Sequence, residues 1–249
     1  MAKASVKSDK GHSQGTDGRA TLDLVAIAYV YDGCLYLAVT RRCTLHCTFC
    51  PKTHGRWTVA GNSLHDDPEP SAAELVAAAE AVGLERHQEV AFVGLGEPTL
   101  RLPVVLETAK QLRARGFYVR LVTDGLASLR EGHDVAPLLE GVFHEVDVSL
   151  NAPDGATYAA LCPNPYGERA HAAACEFLRR VRLYVPCAKA TVVAIPGLDL
   201  EACRALARDL RVELRVRPYF DPLRGEPHPA PLPPSANRPR SSSVAPPEA

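Results

Sequence analysis

The sequence has no apolar run of membrane-spanning length. Its longest apolar stretch near the N-terminus, residues 22–31, covers about half of the roughly 20 residues that a spanning helix needs. It also follows a polar leader instead of opening the chain, so neither an anchor nor a secretory signal is expected. Charge of one sign is missing too. The 28 Lys and Arg nearly cancel the 29 Asp and Glu, for a formal net charge of −1, which supplies no overall attraction to nucleic acid or to an anionic membrane. There is no second CxxC pair and no evident run of Lys and Arg beside aromatics, the features a zinc-stabilised nucleic-acid-binding module would show. With no export signal, disulfides are not expected, and the protein reads as cytoplasmic with reduced thiols.

Against these absences stand eight cysteines in 249 residues. Three of them, Cys43, Cys47 and Cys50, fall in the spacing C-x3-C-x2-C within TRRCTLHCTFCPK. A cubic [4Fe-4S] cluster takes up to four cysteines, one per iron. Three ligands on one short loop with no obvious fourth would leave one iron open to a substrate or cofactor. The alternatives are a Cys3His zinc site completed by His46 or His54, and an iron-sulfur cluster that only carries electrons. Zinc modules usually present their ligands as two separated pairs, whereas here three would come from one loop. The other five cysteines, Cys34, Cys162, Cys175, Cys187 and Cys203, are scattered.

The remaining pattern predicts alternating strands and helices. Residues 1–20 read as a disordered leader, 21–221 as the folded domain and 222–249 as a disordered Pro-rich tail. Two strand-like runs, 22–31 and 34–40, flank Asp32-Gly33, the dipeptide that a type I′ hairpin favours. The cysteine loop begins where the second run ends. Residues 51–70 read as a long loop. Ser71 with Glu74 forms a capping box for a helix that Gly83 stops. The strand 89–93 runs into Gly94-Leu95-Gly96-Glu97-Pro98, where the absence of side chains lets a ligand approach the backbone. A helix starting near Pro103 and ending at Gly116, a strand at 117–122 and a short helix at 135–140 follow. Beyond them come a strand at 145–150, a helix at 169–184, a strand at 187–195, a helix at 200–210 capped by Asp199 and a strand at 212–216. Six strands in β/α alternation, with one hairpin strand set aside, predict an α/β fold, an open partial (β/α)6 barrel of the TIM type.

At its cysteine motif the chain resembles the radical S-adenosylmethionine superfamily. GLGEP is similar to that family's Gly-Gly-Glu-like motif. GEPTLRL, DGLASL, SLNAPD, LCPNPYGE and RVRPY resemble the radical SAM proteins associated with TatD-type nucleases. The resemblance implies a [4Fe-4S] cluster on Cys43, Cys47 and Cys50, with the open iron chelating S-adenosyl-L-methionine. It implies that Phe49 lies near the adenine, and that the Gly94, Leu95 and Gly96 backbone and Glu97 receive the methionyl amino group. Thr123, Ser149 and Asn151 would meet the rest of the cofactor, with Ile195 on the adenine side. Asp124 stands where the family usually has an asparagine. The implied chemistry is reductive cleavage of S-adenosylmethionine and hydrogen abstraction from a substrate, with the electron coming from a flavodoxin or ferredoxin-type partner. A functional link to a TatD-type nuclease is also implied. Cys162, after the fourth barrel strand, is a candidate catalytic thiol able to donate a hydrogen atom. A small buried hydrophobe would look the same in sequence.

Overall fold

In the computed structural model, residues 27–59, 61–64 and 69–221 are described. The expected leader and Pro-rich tail lie outside them. The first hairpin pairs β1 (Ala28–Tyr31) antiparallel with β2 (Cys34–Leu37). Its turn has positive φ at both Asp32 and Gly33, as a type I′ turn requires. After the cysteine loop, a single 3-10 turn over Pro51–His54 leads into a two-stranded ribbon, β3 (Thr58–Val59) and β4 (Asn62–Ser63). The sequence reading had only a loop there, because two-residue strands have no period to detect.

The main sheet continues through β5 (Glu89–Phe92), β6 (Tyr118–Thr123), β7 (Glu145–Ser149), β8 (Cys187–Val193) and β9 (Glu213–Arg217). Its order is β1-β2-β5-β6-β7-β8-β9, and every pairing after the first is parallel. Six parallel strands in sequential order form the expected partial barrel. The crossovers carry α1 (Ala72–Ala81), α2 (Leu102–Ala114), α3 (Ala127–Glu131), α4 (Gly155–Leu161), α5 (Arg169–Val181) and α6 (Leu200–Leu210). Ser71 and Glu74 make the reciprocal capping box of α1, and Asp199 caps α6 through the Ala202 amide. The short helices α3 and α4 were not anticipated, and residues 136–139 form a 3-10 turn where a short helix was expected.

The two faces of the sheet differ in chemistry. Residues on the helix side, among them Val90, Phe92, Val119, Leu121, Val146, Val148 and Ala190, are essentially fully buried and join the helices in one hydrophobic core. The alternate residues, Glu89, Arg120, Glu145, Asp147, Thr191 and Arg215, line the concave face. Buried parallel strands are normally apolar on both faces, so the polar inner face marks where ligands meet the barrel. Among the described residues, no helix is long and apolar enough to cross a membrane.

Candidate active site

The concave face lines a cavity of about 1110 Å³ that runs from the N-terminal ends of the strands, at Glu89, Tyr118 and Glu145, to their C-terminal ends. Cys43, Cys47 and Cys50 all line it, together with Phe49 and the Gly94–Glu97 turn. The loop that carries the cysteines is pinned at several points. Lys52 donates from Nζ to the Arg41 carbonyl at 2.5 Å, closing the loop on itself. The Cys50 amide donates to the Cys47 carbonyl at 3.0 Å. The Leu45 amide donates to Cys43 Sγ at 3.4 Å, so one sulfur already accepts a backbone proton.

GLGEP supports this loop from below. The Glu97 amide donates to the Arg42 carbonyl at 2.8 Å. A Cβ on Gly96 would lie 1.9 Å from the Thr40 carbonyl oxygen and 2.9 Å from that of Arg42. Only glycine lets the two backbones approach this closely.

The Glu97 carboxylate is buried and fully committed. Oε1 accepts from the Thr99 amide at 2.9 Å, the Thr99 hydroxyl at 2.5 Å and the Thr123 hydroxyl at 2.7 Å, while Oε2 accepts from the Asp124 amide at 2.6 Å. It therefore ties the end of β5 to the end of β6. Burial, together with the nearby Asp124 charge, pushes its pKa up to about 7, against the opposing pull of Arg130. Asp124 is also raised by burial and is held by Arg130 at 3.0 Å. Arg130 donates in addition to Thr99 and to Thr44 of the cysteine loop. A triad of two acids and one guanidinium thus supports both the loop and the glycine turn.

The structure brings Phe49, Gly94, Leu95, Gly96, Glu97, Thr123, Ser149 and Asn151 onto the same cavity wall as the three cysteines. Asn151 adopts φ 53, a left-handed conformation that asparagine tolerates better than most residues. Ile195 and Cys162 are not part of the wall. Cys162 is wholly buried, caps the end of α4 and accepts from Asn151 Nδ2 at 3.8 Å. Its thiol lies close enough to that of Cys47 to raise the Cys47 pKa. Backbone bonds from His46 to Pro163 and from Thr48 to Leu161, each 2.9 Å, lace the two segments together. Cys162 therefore packs behind the cysteine loop as a small buried residue, off the cavity wall where a hydrogen-donating thiol would have to stand.

Residues 37–210 match the radical SAM superfamily domain. The chain belongs to the radical SAM superfamily. A crystal structure of a radical SAM methyltransferase from Sphaerobacter thermophilus shares the fold at a TM-score of 0.50 and 17% identity, over 77% of this chain and 68% of that one. No curated relative matches the chain.

The family implies a [4Fe-4S] cluster and S-adenosylmethionine, and the donor set fits the former. Burial raises the Cys43 thiol to about 12 and raises that of Cys50, and Cys162, toward which the Cys47 thiol donates, together with burial holds Cys47 well above the ordinary thiol range. Three thiolates in such surroundings are costly unless bound positive charge compensates them, which is what ligation by iron provides. Among the described residues, no three His, Cys, Asp or Glu side chains converge on a point suited to one metal ion. A cubane makes a different demand, because each cysteine takes its own iron.

Proposed function

We propose that this radical SAM chain is an enzyme that cleaves S-adenosylmethionine reductively and abstracts hydrogen from a substrate held in the barrel. The observation that carries this reading is the meeting of three cavity-facing cysteines on one loop with a glycine turn that touches the same loop. Cys43, Cys47 and Cys50 would hold the [4Fe-4S] cluster, and the Gly94–Gly96 backbone, Phe49, Thr123, Ser149 and Asn151 would hold the cofactor. When bound, the cluster and S-adenosylmethionine would supply the one-electron reductive and hydrogen-abstracting chemistry.

The chain's own contribution is positional. Glu97 fixes the glycine turn through Thr123 and the Asp124 amide, tying the end of β5 to the end of β6. Arg130 fixes the cysteine loop through Thr44. The cavity walls limit access of water and oxygen, and a flavodoxin or ferredoxin-type protein would deliver the electron. The finer likeness to TatD-associated proteins rests on sequence motifs such as LCPNPYGE, and a nuclease-linked role is part of the proposal on that ground alone.

Anaerobic reconstitution tests the reading. The protein should take up about four irons per chain, and Cys43→Ala, Cys47→Ala or Cys50→Ala should abolish that uptake. Reduced with dithionite, the wild type should release 5′-deoxyadenosine and methionine. Iron uptake without this cleavage would instead mark an electron carrier, and stoichiometric zinc without iron would refute both.

A further inference from the structure

The inner face of the barrel carries a chain of buried charge. Arg120 donates to Glu89 at 2.7 Å and to Asp147 at 3.0 Å, and Arg215 donates to Asp147 at 2.7 Å and to Glu145 at 2.8 Å. Lys189 lies 3.4 Å from Glu145 and 3.5 Å from Glu213. Every cation in this layer has an acid.

Arg217 does not. It is the last residue of β9, paired in register with Val193 at the C-terminal rim, and its side chain lines the cavity. Among the described residues its guanidinium has no hydrogen-bond or ion-pair partner; only its backbone is engaged, the carbonyl accepting from the Ala194 amide at 2.8 Å. Burial disfavours its charge, as do Arg120 and Arg215 nearby, while Tyr36 and Asp147 favour it only from beyond ion-pair distance; protein surrounds it although the open cavity leaves it wetted. Two other polar atoms of the wall are also unmatched. Asp147 Oδ1 and Thr191 Oγ1 are buried without a partner, on residues each 1% exposed. Asp147 spends its other oxygen on both Arg120 and Arg215. A guanidinium offers five donors in a planar fork that suits carboxylate and phosphate, and a buried carboxylate oxygen left unpaired requires a donor.

We propose that the substrate is an anion whose phosphate or carboxylate binds Arg217 and whose hydrogen-bond donor meets Asp147 Oδ1. This rests on the barrel cavity being the substrate site of the radical chemistry. It adds the substrate's class: a small polar anion, with Thr191 Oγ1 beside the donor position.

Isothermal titration of the reconstituted protein with inorganic phosphate and, separately, with L-aspartate tests the proposal and tells the two anions apart. One of them should bind the wild type, and Arg217→Gln should weaken that binding about tenfold or more. Arg217→Lys should restore part of it by keeping the charge without the fork. The Gln variant should melt with the wild type, since the Arg217 side chain makes no hydrogen bond or ion pair among the described residues and its backbone bonds are kept. Equal binding by wild type and Arg217→Gln, or no binding of either probe, overturns the proposal. The titration needs no turnover, so failure to cleave S-adenosylmethionine would refute the proposed activity and leave the anion result readable.

Discussion

Gly96→Ala is the sharpest test of how the glycine turn serves the cysteine loop. The new Cβ would stand 1.9 Å from the Thr40 carbonyl oxygen, 2.7 Å from its carbon and 2.9 Å from the Arg42 oxygen. These obstacles are backbone atoms, so no side chain can swing aside, and the loop must lift by about 1 Å or more to restore van der Waals contact. Lifting it breaks the 2.8 Å bond from the Glu97 amide to Arg42. Overpacking costs about 1–3 kcal/mol and the lost hydrogen bond about 0.5–1.5 kcal/mol, roughly 2–4 kcal/mol together. For a chain of this length that lowers Tm by roughly 5–15 °C. Gly94→Ala is the internal control. Its Cβ meets the Ala38 Cβ at 3.2 Å, a contact that small shifts relieve for about 1 kcal/mol or less. Thermal melts and iron content after anaerobic reconstitution should both rank wild type, Gly94→Ala and Gly96→Ala in that order. A Gly96→Ala protein that melted and loaded iron like the wild type would refute the claim that the close approach positions the loop.

Glu97→Gln should change how stability depends on pH. The carboxyl is raised from its ordinary range to about 7 in the folded protein, so below the unfolded pKa of about 4.3 its contribution is fully present, and it is lost as pH rises through 7. The wild type's advantage over the Gln variant, read as urea midpoints, should therefore shrink from about pH 5 to about pH 8, and a constant difference would contradict the assignment. Asp147→Asn removes the acid shared by Arg120 and Arg215. It should cost about 3 kcal/mol in urea denaturation, against about 1 kcal/mol or less for Glu80→Gln at the exposed Glu80–Arg115 pair. Equal effects would show that the buried layer is not a coupled network.

Much of this arrangement was legible in the sequence because it is local. A capping box, a two-residue hairpin turn and a loop of three cysteines are each complete within a few residues, and Ser71, Asp32-Gly33 and Cys43 to Cys50 appear where their chemistry predicted. What escaped was contact between distant segments. That Glu97 is consumed by Thr123 and Asp124, or that Cys162 sits behind Cys47, depends on how β6 and α4 are placed beside the loop. One missed signal was nevertheless in plain view. In EVAF, EVDVS, CAKAT and ELRVR every second position is polar or small, and YVRLV carries Arg120 between apolar neighbours, a period of two laid over strands read simply as apolar. In a parallel barrel that period identifies the residues facing the cavity.

The polar layer also explains why the cavity wall ends in an unmatched charge. Buried ion pairs add little stability over well-packed apolar side chains, so the layer is better understood through what it orients. Burial alone would raise the Glu145 carboxyl, yet Arg215, Arg120 and Lys189 hold it below the ordinary range, and the acid stays ionised at the bottom of the barrel. An ionised Glu145 keeps Arg215 drawn toward itself and Asp147. Toward the N-terminal ends of the strands each charge is answered from within the protein. Two residues beyond Arg215 along the same strand, at the mouth where the three cysteines open, Arg217 is not. The imbalance thus falls at the one level of the barrel where a ligand can supply the missing charge.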